Sequence, residues 1–340
     1  MKTTDFTYLL PPELIAQTPA ERRDGSRLLV IDRKTGELRH RFFYDLPEFL
    51  RPGDCLVVNN SRVLPARLLG KRESGGAAEV LLLRDLGGNR WNCLVKPGKS
   101  LRPGAKICFG GDRLTGVVES AGRGGERAVR FAYDGLWNEL LHELGALPLP
   151  PYIRAKPSDA ERYQTVYAKP IGSAAAPTAG LHFTGELLET LRSMGVKIAE
   201  ITLHVGLGTF RPVTADEIHD HVMHTERYEI SETAAAAVNE ARAGGGRVVA
   251  VGTTSCRTLE SAALPGGTLR AGGGETGIFI TPGYTFRMTD ALVTNFHLPQ
   301  STLLMLAAAF YTRDGILAAY GEAVRERYRF YSFGDCMMII

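Results

Sequence analysis

Between Ala66 and Asp134 the chain is interrupted by turn signals at short intervals. Gly75-Gly76, Gly87-Gly88-Asn89, Pro103-Gly104, Gly110-Gly111-Asp112 and Gly124-Gly125 break it in turn. Six short runs remain: Ala66–Arg72, Ala77–Arg84, Arg90–Val95, Ala105–Phe109, Arg113–Ser120 and Arg127–Phe131. Glycines of this kind supply the positive φ of tight hairpins, and six short strands so spaced predict a small antiparallel barrel. Residues 66–149 hold 15 of the 38 glycines and 13 Lys and Arg against 9 Asp and Glu, whereas the rest of the chain is nearly charge-balanced at 27 against 28. Glycine and positive charge rise together there, which marks a separate module.

The flanking sequence alternates strand and helix. Ser26–Asp32 and Cys55–Asn60 read as strands before the module. Lys197–Val205, Arg247–Gly252, Gly277–Ile280, Ala291–Thr294 and Tyr328–Ile340 read as strands after it. Thr184, Ser231 and Ser301 are placed to cap helices, with Gly195 beyond the first of them. The pattern predicts a layered α/β core domain, residues 1–65 plus 150–340, interrupted by an inserted, about six-stranded antiparallel β-barrel at 66–149. The proline-rich stretch 148–170 reads as the return linker. A length of 340 residues with 44% hydrophobic content suits two such cores.

Several classes are disfavoured. The N-terminal residues lack an apolar signal-like run. The longest strongly apolar run, Leu303–Tyr311, is far short of the ~20 residues a membrane span needs. Five scattered cysteines form neither a disulfide framework nor a C-x-x-C knuckle. A cytoplasmic, membrane-free protein is therefore expected. The net charge of +3 decides nothing by itself.

Polar residues and glycines mark the ends of the proposed strands. Pro177–Thr184, containing Thr178, Gly180 and His182, is a small-residue loop entering a helix; it reads as an anion-friendly helix start or as an ordinary capped loop. Leu203–Arg211 carries His204 and Gly206-x-Gly208. The glycines permit close approach of a ligand, but the spacing is not a dinucleotide fingerprint, and His204 reads equally as a core histidine. His219, His221 and His224, with Asp220 and Glu226, invite a metal reading. Their H-x-H-x-x-H spacing matches no standard zinc pattern, so a loop or substrate contact is expected and no metal. Val251–Arg257, with Thr253, Thr254, Ser255 and Arg257, and Val293–Ser301, with Asn295 and His297, are each strand, polar turn and helix start. Two such turns point to one pocket beyond the carboxyl ends of strands. Cys256 reads as a packed thiol before a nucleophile. At the entrance to the module, Asn59, Arg62 and Arg67 offer directed hydrogen bonds to a base or carboxylate, or form a turn with surface arginines.

These stretches resemble the S-adenosylmethionine:tRNA ribosyltransferase-isomerases of queuosine biosynthesis. The resemblance runs through Tyr8–Gln17, Arg23–Leu29, Gly53–Arg67, Arg162–Ala168, Ala175–Thr184, Leu203–Val213, His221 to Glu226, Gly252–Ser255, Thr294–Thr302 and Tyr328–Asp335. Departures are small: Asn60-Ser61 stands where the family has Asp-Thr, Cys256 where Val is usual, and Tyr311-Thr312 where Ala-Gly is usual. Asn60 thus lacks a possible carboxylate, which argues against an essential base there.

The resemblance implies an α/β core with an inserted β-barrel. It also implies transfer and isomerisation of the ribosyl part of S-adenosylmethionine onto 7-aminomethyl-7-deazaguanine at the tRNA wobble position. Epoxyqueuosine-tRNA, adenine and methionine are the products. The partners are then S-adenosylmethionine, consumed as co-substrate, and tRNA carrying that base, with no metal and a monomer expected. The chemistry needs a general base, because a sulfonium acidifies the adjacent ribose carbon. His182, His204 and His297 are the expected acid–base groups. Thr178, Gly180, Gly206, Gly208, Thr253, Thr254, Ser255 and Asn295 are expected around the co-substrate. Asn59, Arg62, Arg67, His221, His224, Glu226 and Arg257 are expected around the nucleic-acid substrate. A non-catalytic RNA-binding protein and a conventional methyltransferase are the competing readings; the strand-end loops speak against the first, and the missing early G-x-G-x-G against the second.

Overall fold

The computed structural model describes residues 1–122, 125–155, 159–206 and 213–340. These divide into two compact units, one of Met1–Arg62, Pro151–Pro170 and Ala176–Ile340, the other of Val63–Pro150 with Ile171–Ala175.

The first unit is built on a sheet that has nine strands among the described residues. Three strands precede the insertion, β1 (Arg27–Ile31), β2 (Leu38–Phe42) and β3 (Cys55–Asn59). Six follow it, β13 (Lys197–Leu203), β14 (Glu226–Ile230), β15 (Val248–Val251), β16 (Gly272–Thr276), β17 (Ala291–Asn295) and β18 (Cys336–Ile339). Their order is β16-β14-β13-β3-β15-β17-β18-β1-β2. The central strands β13, β3, β15 and β17 are parallel. β18 runs against β17, and β1 runs with β18. β3, β15 and β17 are apolar at nearly every position and buried throughout, as strands covered on both faces must be. Leu56, Val58, Val249, Val251 and Val293 pack in one core with Leu187, Leu188 and Leu191 of α2 (Gly185–Ser193). Thr184 caps α2 by accepting a hydrogen bond from Leu187 N, and Gly195 beyond it has φ +83°. Ser231 caps α3 (Glu232–Ala243) and Ser301 caps α5 (Thr302–Phe310) in the same way. α4 (Gly252–Ala262) and α6 (Arg313–Arg325) complete the α-helices of this unit among the described residues. No single helix among those residues is long and apolar enough to cross a membrane.

The second unit contains the barrel. β5 (Arg67–Arg72), β6 (Ala77–Gly87), β7 (Arg90–Lys96), β10 (Glu126–Tyr133), β9 (Leu114–Ala121) and β8 (Lys106–Phe109) pair antiparallel in that order, and β8 returns to β5 to close the ring. Leu68, Val80, Leu82, Cys93, Ile107, Phe109, Val118, Val129 and Phe131 fill it. Gly70 needs no turn conformation; a Cβ there would stand 2.6 Å from the Phe109 ring, so its smallness makes room for that filling residue. α1 (Trp137–Leu144) covers the ring with Leu141 and stacks Trp137 on Trp91 at 5.7 Å. The short β11 (Gly145–Ala146) adds to β5. β4 (Arg62–Val63) and β12 (Ile171–Ser173) lie where the chain enters and leaves this unit.

The structure corrects some element boundaries. The strand expected at Gly277–Ile280 lies earlier, over Gly272–Thr276, where three glycines pair along β14. Tyr328–Ile340 is strand only over its last part, because the left-handed conformation of Tyr331 interrupts it. α4 begins already at Gly252, which turns the chain with φ +85°, so Thr253 and Thr254, expected in the polar turn, lie in its first turn. The edge strand β2, the strand β14 and α1 were not anticipated, although Trp137, Leu140, Leu141 and Leu144 recur at the spacing of an amphipathic helix and β14 alternates buried and exposed residues.

Candidate active site

The strand directions gather the polar loops at one edge of the nine-stranded sheet. The parallel strands β3, β13, β15 and β17 end there, and β1 and β14, running the opposite way, begin there. Ser26, Asn59, Leu203 to Gly206, Glu226, Gly252 to Ser255 and Asn295 therefore share an edge. This is where ligands bind in open α/β sheets.

At its centre stand His182 and Asn295. Asn295 Nδ2 donates to the Tyr331 carbonyl at 3.2 Å, which orients the amide, and the same nitrogen stands 3.1 Å from His182 Nε2. Nε2 therefore accepts, and the ring proton is on Nδ1, 2.6 Å from Ser26 Oγ. Ser26 passes its own proton to the Arg23 carbonyl at 3.3 Å. On the other side Thr178 Oγ1 donates to Asn295 Oδ1 at 3.1 Å. Burial, with Arg23 and Arg329 nearby, pushes the His182 pKa down to about 3, so the ring is neutral. His297 is also buried and pushed down to about 3; its Nε2 lies 2.8 Å from Thr294 Oγ1, and its backbone is tied to Tyr320 and Tyr8 hydroxyls. His204 is lowered by burial and Arg227, and its Nδ1 has no hydrogen-bond partner among the described residues.

The start of α4 abuts this cluster: a Cβ on Gly252 would stand 3.6 Å from Ala179 Cβ. Thr254 Oγ1 and Ser255 Oγ are buried without partners among the described residues. One turn on, Arg257 Nη1 donates to Glu226 Oε2 at 2.5 Å. Glu226 Oε1 accepts from Gly206 N at 2.8 Å, and His224 Nε2 lies 3.0 Å from it. Burial pushes the Glu226 carboxyl up, but His224, Arg257 and the Gly206 amide outweigh it and hold it below its usual range.

Residues 3–339 match the model of a family described as queuosine biosynthesis protein. The chain belongs to that family. It is 59% identical to the S-adenosylmethionine:tRNA ribosyltransferase-isomerase of Symbiobacterium thermophilum and 55% identical to that of Clostridioides difficile, in each case over 100% of both chains. A crystal structure of the S-adenosylmethionine tRNA ribosyltransferase from Thermotoga maritima matches with a TM-score of 0.57 and 41% identity, over 99% of this chain and 100% of that one.

Not every expected site residue of this queuosine family member reaches the cluster. Asn59 is a buried clamp: its amide donates to the Leu203 carbonyl at 3.0 Å and accepts from Leu203 N at 3.0 Å and Ser61 N at 3.1 Å. Arg62 pairs with Glu161 near the surface. In the barrel, Arg67 pairs with Glu79 at 2.9 Å. His221 packs edge-on against Phe279, and His219 lies 3.4 Å from Asp220 at the surface. Among the described residues no group of three or more His, Cys, Asp or Glu is arranged to hold a metal. Burial pushes the Cys256 thiol far above its ordinary pKa, so it is not a thiolate. Gly208 lies outside the described residues. Sequence reading missed Ser26 and Tyr331, because their contacts with His182 and Asn295 span 156 and 36 residues and leave no local pattern.

Proposed function

We infer that the chain is an S-adenosylmethionine:tRNA ribosyltransferase-isomerase acting in queuosine biosynthesis. Full-length similarity to relatives of that name carries the reading. The co-substrate would lie at the strand-end edge, where Thr178, Gly206, Thr253, Thr254, Ser255 and Asn295 supply small or polar contacts. S-adenosylmethionine brings the ribosyl group that is transferred to the aminomethyl base.

The chain's own groups have separable tasks. His182, neutral and hydrogen-bonded at both nitrogens, holds Asn295 with its Oδ1 turned to Thr178. His204 keeps a ring nitrogen without a partner among the described residues and a lowered pKa, so near neutral pH it is an unprotonated acceptor available to take a proton. His297 is held neutral beside Thr294. Of the three acid–base candidates, His204 is the one with a buried ring nitrogen that has no partner among the described residues.

The test is incubation with labelled S-adenosylmethionine and tRNA carrying the precursor base. Adenine release with a ribosyl adduct on the tRNA is expected. Methyl transfer, or binding with neither product, overturns the reading.

A further inference from the structure

Arg257 is the buried cation the acid–base account leaves unused. It is 4% exposed, and among the described residues only one of its three nitrogens, Nη1, has a partner, Glu226. Nε and Nη2 are buried and have none among the described residues. These two nitrogens form one planar edge of the guanidinium, the fork that fits both oxygens of a carboxylate. A buried pair of unmet donors carries a desolvation cost that a ligand would relieve.

The contact with Glu226, which begins β14, places the Arg257 head at the strand-end edge. On α4 it lies three residues after Thr254 and four after Thr253, so the three share a face. Helical side chains lean towards the N-terminus, which carries the Arg257 head over that first turn. Thr254 Oγ1, on the same face, is itself buried without a partner among the described residues. Charge selects among anions. Glu226 already balances one positive charge, and its carboxyl is held in the charged form. A dianion such as phosphate would meet that carboxylate, whereas a single carboxylate beside an ammonium would not add net charge.

We propose that the Nε–Nη2 edge of Arg257, with the Thr254 hydroxyl, receives the carboxylate of the amino-acid end of S-adenosylmethionine. This rests on the reading of the chain as a user of that co-substrate, and it moves Arg257 from the nucleic-acid side of the site to the co-substrate side.

The probe is decarboxylated S-adenosylmethionine, which keeps the adenosine, sulfonium and amine and lacks only the carboxylate. In calorimetric titration of the full chain it should bind at least about tenfold more weakly than S-adenosylmethionine. Arg257→Lys keeps the charge beside Glu226 but not the fork, and should bring the two affinities within about threefold, mainly by weakening S-adenosylmethionine. Thr254→Val keeps the shape of the side chain and should narrow the ratio by a smaller factor, which tests the site independently should the lysine variant misfold. Equal affinities in the unaltered protein, or a ratio preserved in both variants, overturn the proposal. Binding of neither ligand is a different pattern, and it removes the co-substrate reading and this proposal together.

Discussion

Asn295 Nδ2 stands 3.1 Å from His182 Nε2, and this one contact, with the Tyr331 carbonyl fixing the amide, settles which ring nitrogen carries the proton. It also makes protonation of the buried ring incompatible with the native hydrogen bonds. His182 and His297 both fall from 6.5 to about 3 on folding. Between those limits the unfolded chain binds more protons. Stability should therefore be whole above about pH 6.5 and decline as pH falls towards 3, by up to about 1.4 kcal/mol per pH unit for each ring. Urea unfolding between about pH 7.5 and 5 measures this. His297→Gln should flatten the slope by up to one ring's share; a slope unchanged by that variant contradicts the assignment.

Asn59 ends β3 yet its side chain is fully used in joining the end of β13 to the turn at Ser61. Asn59→Ala leaves three backbone groups unmet in a buried place, at a cost of roughly 1–3 kcal/mol or more. Thermal unfolding should shift down by several degrees. The protein that remains folded at low temperature should keep the KM for tRNA of the unaltered chain. A raised KM with unchanged melting would instead return Asn59 to the substrate.

Much of this was legible in the sequence because the signals were local. Glycine turns delimit the six barrel strands, and Thr184, Ser231 and Ser301 cap the helices they precede. The sheet order was not legible: β3 lies between β13 and β15, strands that follow it by well over a hundred residues. The loops of interest could be named, but their roles could not. Asn59 and Asn295 are both asparagines at strand ends. One clamps backbone and the other faces a histidine, and only the distant partners, Leu203 in one case and His182 and Tyr331 in the other, tell them apart.

Gly180 shows a steric requirement that motif reading takes for a ligand requirement. A Cβ there would stand 2.1 Å from Tyr167 Oη and 2.8 Å from Thr165 Cγ2. Gly180→Ala should cost about 1–3 kcal/mol through overpacking and displace the turn that carries Thr178 and His182. Removing the nearest clashing atom with Tyr167→Phe should restore part of both stability and turnover in the double variant. The coupling is read from a double-mutant cycle in melting temperature and in adenine release. Additive losses would mean that the glycine serves the ligand directly.

The basic excess of the barrel is distributed unevenly between paired and unpaired side chains. Arg67, Lys106, Arg113 and Arg130 each face a glutamate, namely Glu79, Glu73, Glu143 and Glu119. Lys96, at the end of β7, and Lys99 and Arg102, in the loop that follows, are exposed and have no carboxylate partner among the described residues. If the barrel binds tRNA phosphates, these three should carry more of the affinity than the paired set, since a paired cation must first leave its glutamate. Replacing all three by Gln should weaken tRNA binding and reduce the slope of log affinity against log salt by about 0.7–0.9 for each phosphate that is no longer neutralised. Melting should hardly change, because exposed side chains outside any ion pair contribute little to stability. Replacing Arg67 and Arg130 instead should alter the slope less. An unchanged slope in the triple variant would place the tRNA-binding cations elsewhere and leave the barrel's charge as an ordinary solvated surface.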